Sequence, residues 1–433
     1  MAKLTQRSIF VFWSPLALTW LMIGVEAPFL AAIVARLPNP RPNLAAWGIA
    51  VAIAILVEAP VIMIMSASTA MATDRVAFVR LRAFTYILCA AITFIMLAAL
   101  LSPAMDLLVR RAMTVPDRVA ALTVHALFIL LPWPAAIGYR RFYQGLLIRD
   151  GQTRKVALGT VIRLGSMGAT AMVLYLGFQI PGAYVGAAAL TAGVVMEALA
   201  SRVMALRIVR KLAAVEPVED PVTYGRIWSF YYPLALTSTI YLTVQPMTSF
   251  FLGRSRMSLE SLAVMPVIGA LVFLFRAVGI SFMEAAIALL GDSFEHNRAI
   301  RRFAVTLAVS ASAALGLVAF TPLSGQWFEK VSGLSRELTA FASLPTMILV
   351  LIPAASVYFS YQRAVLVKAQ RTPPITWSTM LQVACTVAAL FIAVELLDTV
   401  GAVAAAGAMV LGSVVGNSLL LAPVARAVSG AGG

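Results

Sequence analysis

Long apolar runs, separated by short polar breaks, recur from one end of the chain to the other. Twelve can be placed, at about 8–35, 44–72, 83–102, 119–138, 156–178, 182–204, 226–252, 262–290, 302–322, 338–360, 374–396 and 400–425. About 20 apolar residues are what a helix needs to cross a hydrocarbon core, whereas a barrel strand takes about 10. In hydrocarbon the backbone must satisfy its own hydrogen bonds, so each run predicts a helix. The pattern therefore predicts an all-α polytopic membrane protein with 12 transmembrane helices.

The polar breaks and apolar runs also repeat. Residues 15–19 read Pro-Leu-Ala-Leu-Thr, and residues 233–237 read the same, 218 positions later. At that offset Phe12 matches Phe230, Pro28 matches Pro246, Arg36 matches Arg254, Leu44 matches Leu262 and Asp74 matches Asp292. Much further on, Tyr143 still matches Tyr361, Gln144 matches Gln362 and Gln152 matches Gln370. A constant register over so long a stretch is the mark of a duplication. Each half carries six spans, an even number, so both halves enter the membrane in the same direction as parallel repeats. The expected division is a six-helix lobe over 1–212, a cytoplasmic linker over 213–225 and a second six-helix lobe over 226–433. The linker is marked by Glu216, Pro217, Glu219, Asp220 and Pro221, a polar and helix-breaking run.

Composition agrees with the pattern. Hydrophobic residues are 61% of the 433 and charged residues 12%, with a mean hydropathy of +0.92, outside the range of soluble domains. The net charge of +15 does not gather in a basic domain, so a nucleic-acid partner is not expected; the charges sit in short loops between spans. With the N-terminus inside, Lys and Arg divide 22 to nine in favour of the inner segments, which puts both termini in the cytoplasm. That division counts Arg140, Arg141 and Arg363 among the inner loops. The two cysteines, Cys89 and Cys385, fall in apolar spans as small packing residues and form no metal or redox pattern. Alanine and arginine richness with short loops points to a bacterial inner membrane.

Ionisable groups within spans are the candidates for chemistry, because charge is costly there. Glu58 lies mid-way along the second span and Arg276 mid-way along the eighth, 218 positions apart. The duplication thus puts opposite charges at equivalent depth, either to pair across a cleft and hold a substrate or to be satisfied each within its own half. Glu26, on one helix face with Phe12 and Thr19 and just before Pro28, is the second candidate. An isolated carboxyl there suits proton coupling, or a packing hydrogen bond. Thr237, Tyr241 and Gln245 recur every fourth residue of the polar seventh span, either lining a solute path or joining helices. Secondary candidates are Glu197 and Glu284, expected nearer the cytoplasmic ends where water reaches them; His125, a relay or a packing residue; and Arg163, expected to snorkel to the inner surface.

No Walker loop, His-Glu-x-x-His or Gly-x-Ser-x-Gly is found, and two histidines cannot easily build a metal or triad site, so the chain does not read as an enzyme. Without an ATP site, uphill transport must run on an ion gradient, H+ or Na+, or on a partner; no other cofactor is expected.

Ser229-Phe230-Tyr231-Tyr232-Pro233-Leu234-Ala235-Leu236, Pro15-Leu16 followed by Glu26, and Leu44-Ala45-Ala46-Trp47-Gly48 carry a resemblance, as does the loop from Tyr143-Gln144-Gly145 to Gly151-Gln152-Thr153-Arg154. In these and in its twelve spans the chain resembles the multidrug/oligosaccharidyl-lipid/polysaccharide (MOP) flippase superfamily, which includes MATE exporters and the lipid II flippase. Within it, the chain is most similar to the progressive ankylosis protein family. The resemblance implies a MATE-like fold of two pseudo-symmetric lobes rocking about a cavity lined by spans one, two, seven and eight. It also implies export of a small polar or charged solute, an organic anion or phosphate-containing metabolite. The carboxyls equally suit a cationic drug, as in a MATE-type antiporter. A lipid-linked substrate usually calls for several cavity cations, and those four spans offer only Arg276 at depth. A non-transporting membrane scaffold is the reading from another class. The expected partners are the lipid bilayer and a small-molecule or ionic substrate; oligomeric state is left open.

Overall fold

In a computed structural model, residues 4–34, 36–112, 116–216, 222–242, 244–332 and 334–429 are described. They are almost wholly helical and contain no named strand; one isolated bridge joins Arg256 and Val400. The helices are α1 (Gln6–Val34), α2 (Pro40–Glu58), α3 (Ile64–Met71), α4 (Arg75–Leu101), the short α5 (Pro103–Asp106), α6 (Asp117–Ile129), α7 (Trp133–Arg149), α8 (Thr153–Gly177), α9 (Gly182–Met204) and α10 (Leu206–Ala213). There follow α11 (Tyr224–Leu242), α12 (Val244–Arg254), α13 (Ser258–Leu289), α14 (Asn297–Ala319), the short α15 (Leu323–Gly325), α16 (Arg336–Ile348), α17 (Ile352–Lys368), α18 (Pro373–Phe391) and α19 (Gly401–Ser429). Among the described residues, eleven stretches are long and apolar enough to cross a membrane. The seventh expected span, 226–252, is divided between α11 and α12 at Thr243, which lies outside the described residues, as do linker positions Pro217, Glu219, Asp220 and Pro221.

The duplication is visible in local geometry. Asn39 and Met257, 218 positions apart, both adopt the left-handed conformation (φ 55° and 54°) immediately before α2 and α13. The Asn43 side chain accepts from the Ala183 N–H at 3.0 Å, and Ser261, its duplicate, accepts from the Ala402 N–H at the same distance. Each bond ties the start of a second span to the start of a sixth, satisfying an amide that no turn of its own helix can reach.

Two expectations about span ends are corrected. Arg140 and Arg141 lie inside α7, 4% and 9% exposed, and Arg363 lies inside α17. The apolar pattern ends a span at its first cation, but a buried arginine facing a carboxylate does not require an end. The fourth span accordingly runs on to Arg149 and the tenth to Lys368.

By packing, the chain forms two compact units. One comprises Leu21–Tyr231; the other comprises Met1–Trp20 together with Tyr232–Gly433. In the first, α8 lies close on α9, and a side chain at Gly193 would begin 3.0 Å from the Arg163 carbonyl oxygen and the Met167 Cβ. In the second, Val264, Ile268, Leu271, Leu315, Phe328 and Ile352 form a core around α13. There the Trp13 indole donates to Ser281 Oγ at 2.9 Å and sets its edge on Phe303.

Candidate functional site

The unit Leu21–Tyr231 encloses a chain of charges. Glu26 on α1 is 5% exposed, and its Oε2 accepts from Arg163 Nη2 at 2.5 Å. Arg163 on α8 also places Nη1 3.6 Å from Glu197 Oε2 on α9. The same Glu197 oxygen accepts from Arg140 on α7. The other oxygen, Oε1, accepts from Gln144 Nε2 at 3.0 Å and Thr160 Oγ1 at 3.2 Å. Two carboxylates and two guanidiniums cancel, which is the condition under which buried charge is tolerated. Leaving one of them unpaired typically costs about 3–5 kcal/mol.

The arrangement follows from the helices that carry it. Arg140 and Gln144 are four residues apart on α7 and share a face. Gly159 and Gly193 keep α8 and α9 close, so that Glu197 meets Arg163 and Thr160 without a side chain between them. Three expectations fall here. Glu26 is not isolated but paired with Arg163; Arg163 does not snorkel; and Glu197 has no water within reach, being 0% exposed. Sequence reasoning missed Arg140, Gln144 and Thr160. The signal available was the i, i+4 pair Arg140–Gln144 directly beyond the apolar run.

The duplicate of this network is uncharged. Ser378, 218 positions after Thr160, donates to the Gly416 carbonyl at 2.7 Å, and Gln362, the duplicate of Gln144, donates to the Asn417 carbonyl at 2.9 Å. Equivalent donors thus meet backbone oxygen in one unit and the Glu197 carboxylate in the other.

Glu58 closes α2 in the unit Leu21–Tyr231, at the turn where Pro60 opens a short 3-10 segment, Ala59–Val61. Its Oε2 is buried with no hydrogen-bond partner. The charges that act on it most are Arg141, Arg140, Arg163 and then Glu26.

In the other unit, Arg276 on α13 donates to the Tyr241 hydroxyl on α11, and its guanidinium also lies over that ring, 5.3 Å from the centroid. Within that unit, no carboxylate among the described residues forms an ion pair with Arg276. Thr376 donates to the Pro233 carbonyl at 2.7 Å and stands 3.1 Å from Thr237 Oγ1, which itself lies 2.7 Å from the same carbonyl, so these hydroxyls join α11 to α18. Gln245 has its side chain outside the described residues. Thr19 donates to the Pro15 carbonyl of its own helix at 3.1 Å. Glu284, 5% exposed on α13, acts electrostatically on Arg363 of α17. In the unit Leu21–Tyr231, the exposed His125 has Nδ1 2.8 Å from the Ala121 carbonyl and its ring 5.9 Å from that of Tyr184. No further titratable group joins it to make a relay among the described residues.

Among the described residues, eleven stretches long and apolar enough to cross a bilayer mark an integral, multi-pass membrane protein. The particular architecture is that of MATE-family transporters of the MOP superfamily. A multidrug resistance MATE family transporter of the MOP superfamily, in an outward-facing conformation, superposes with a TM-score of 0.79 at 15% identity, over 99% of this chain and 97% of that one. A Vibrio cholerae MATE transporter, VcmN, gives 0.77 at 14% identity over 98% and 97%. A MOP superfamily transporter from Pyrococcus furiosus, whose binding pocket is described as reversed in polarity and suggestive of a different function, gives 0.75 at 17% over 98% and 97%. No protein-family model matches the chain, and no curated protein matches it by sequence. At these identities the likeness establishes the fold, twelve helices in two lobes.

Proposed function

We propose that this protein is a secondary active transporter that exports a small polar or charged solute, an organic anion or phosphate-containing metabolite, by alternating access of its two lobes. The lobes are 1–212 and 226–433, joined by the linker 213–225. The fold supports transport, and an ion gradient supplies the drive in the absence of an ATP-binding motif. The cell is bacterial, the membrane its inner one, and both termini are cytoplasmic.

One observation favours an anion over a cationic drug. Arg276 is a guanidinium in a membrane-spanning helix, oriented by Tyr241 and left without a carboxylate partner among the described residues of its own unit. Of the two carboxyls that a cation would seek, Glu26 is already engaged by Arg163, and Glu58, though its Oε2 has no hydrogen-bond partner, lies in the field of Arg141, Arg140 and Arg163. A fixed guanidinium recognises carboxylate and phosphate oxygens through charge-assisted, bidentate hydrogen bonds. Reconstituted protein is expected to move di- and tricarboxylates or phosphomonoesters in preference to lipophilic cations. A hydrogen bond to a charged group is worth about 1.5–3 kcal/mol, so Arg276→Ala should lower anion flux about tenfold or more. Flux of lipophilic cations only, unchanged by Arg276→Ala, would refute the anion reading.

A further inference from the structure

We infer that the unit Leu21–Tyr231 carries a binding site for one anionic phospholipid of the inner leaflet. Arg154, Arg207 and Arg210 hold its headgroup phosphate, and its acyl chains lie along α8 and α9. The site is independent of the transported solute; only the choice of leaflet rests on the orientation proposed above. These two neighbouring helices turn an apolar face outward. Leu158 and Val161 are exposed on α8, and Met196, Leu199 and Val203 are exposed on α9. Within each helix they recur three or four residues apart and so share one stripe. In a chain that spans a bilayer, such stripes meet lipid tails.

Each stripe ends on arginine. Arg154 is exposed one turn before Leu158, about 6 Å along the axis of α8. The helical ladder continues from α9 into α10: the Ala205 N–H donates to the Ser201 carbonyl at 3.0 Å, and the Ala205 carbonyl accepts from the Val209 N–H at 2.9 Å. Arg207 and Arg210, one and two turns beyond Val203, therefore prolong the outward face of α9, while Ile208 and Leu212 are buried. The two ends are level. A side chain at Gly159 would begin 3.6 Å from the Met204 Cε, so the start of α8 lies beside the end of α9. Lys211 Nζ donates to Asp150 Oδ1 at 3.2 Å, which fastens α10 beside the loop leading into α8. The three guanidiniums thus gather at one end of the helix pair, just past the apolar stripes, at the depth of lipid phosphates.

No carboxylate among the described residues pairs with any of the three. Asp150 is occupied by Lys211 and by Gln152 Nε2, which donates to its Oδ2 at 2.6 Å. Three gathered cations repel one another, and a phosphate between them removes the repulsion. Guanidinium recognises phosphate oxygens through paired, charge-assisted hydrogen bonds. Basic pockets between helices on the cytoplasmic side are where acidic headgroups settle. A charge bias between loops orients a chain, but it does not require the cations to share one lipid face. Nor does the duplication impose them, because the positions 218 residues on are Thr372, Ala425 and Val428. A soluble anion would gain only the arginines. A phospholipid gains the apolar stripes as well, and that continuity of charge with apolar face selects a lipid as the occupant.

The test titrates the full chain in detergent micelles with phosphatidylglycerol or phosphatidylcholine, counting bound lipid by native mass spectrometry and following melting in parallel. Phosphatidylglycerol should bind one copy more tightly than phosphatidylcholine and raise the melting temperature, as a ligand of the folded state does. Combining Arg154→Gln, Arg207→Gln and Arg210→Gln should weaken that binding about a hundredfold, the loss expected of three cations at a lipid surface. Combining Arg298→Gln, Arg301→Gln and Arg302→Gln, equal in charge and exposed on the other unit, should leave it unchanged. Equal weakening by both triple variants would reveal a diffuse attraction and overturn the site. Equal binding of the two lipids would overturn it too. A full melting shift from soluble glycerophosphoglycerol would assign the arginines to a soluble anion instead. Should the first triple variant fail to fold, phosphatidylglycerol with a photoreactive acyl chain decides on the unaltered protein. Cross-links to residues 158–161 and 196–203 support the site, and cross-links only elsewhere refute it.

Discussion

Glu197 is the residue on which the buried network depends, because each of its oxygens serves more than one donor. Oε2 faces two guanidiniums, Arg140 and Arg163, and Oε1 faces Gln144 and Thr160. Glu197→Gln keeps the shape and removes the charge, leaving two buried cations against Glu26 alone. The expected loss is about 3–5 kcal/mol, the range for breaking a buried ion pair from one side. Arg140→Met alone should cost a similar amount. The double substitution should cost less than the sum, with a coupling of about 0.5–3 kcal/mol for residues in one network. Unfolding in mixed micelles, run as a double-mutant cycle, measures this. Additive losses would show that Arg140 and Glu197 do not act as a pair.

At the scale of helices, the same duplicated framework is closed in two ways. A side chain at Gly145 would begin 1.8 Å from Ser68 Oγ and 2.6 Å from the Met65 carbonyl oxygen, so α7 and α3 touch through backbone. At the position 218 residues on, α17 carries Arg363, and the duplicate of Ser66 on α13 is Glu284. Glycine and serine in one unit are thus arginine and glutamate in the other. Gly145→Val is expected to destabilise by about 1–3 kcal/mol through overpacking, read as a lower melting temperature. Gly165→Val on α8, where the added atoms meet open space, is the control and should change little. The spans and the duplication were legible in the sequence, because apolar length and register are one-dimensional; Arg363 reads as a loop position and lies inside α17. The network was not legible. Arg163 and Glu197 are 34 positions apart and Glu26 is further still, and nothing in spacing tells which faces of three helices meet. Hydropathy treats a cation as the end of a span and so places Arg140 in a loop, whereas its partner Glu197 is visible only in three dimensions.

Across the whole molecule, the boundary of packing does not coincide with the boundary of the repeat. The duplication divides the sequence in the linker near 213–225, yet the first part of α1, to Trp20, packs with Tyr232–Gly433, and α11 up to Tyr231 packs with the unit that begins at Leu21. The contribution of that first segment is substantial. Ile9, Trp13 and Leu16 are 0%, 6% and 5% exposed, and Trp13 donates to Ser281 and meets Phe303. In return, the Tyr231 ring packs against Phe84, its hydroxyl donates to Pro60, and Arg80 donates to the Val222 carbonyl at 2.7 Å. A half cut at the linker therefore loses apolar surface that it would otherwise bury, at roughly 25 cal/mol for each Å² exposed. Residues 226–433 expressed alone should be aggregated or short-lived in detergent, as should 1–212. Co-expressed as two chains, the halves should recover a single species by size-exclusion chromatography, because the break then falls in a polar linker and every helix is present. A monodisperse 226–433 fragment with the melting temperature of the full chain would show that the first segment of α1 is dispensable to that unit. Trp13→Ala in the intact chain gives the same answer at one residue: about 3–5 kcal/mol lost if the segment is part of that core, and little if it is not.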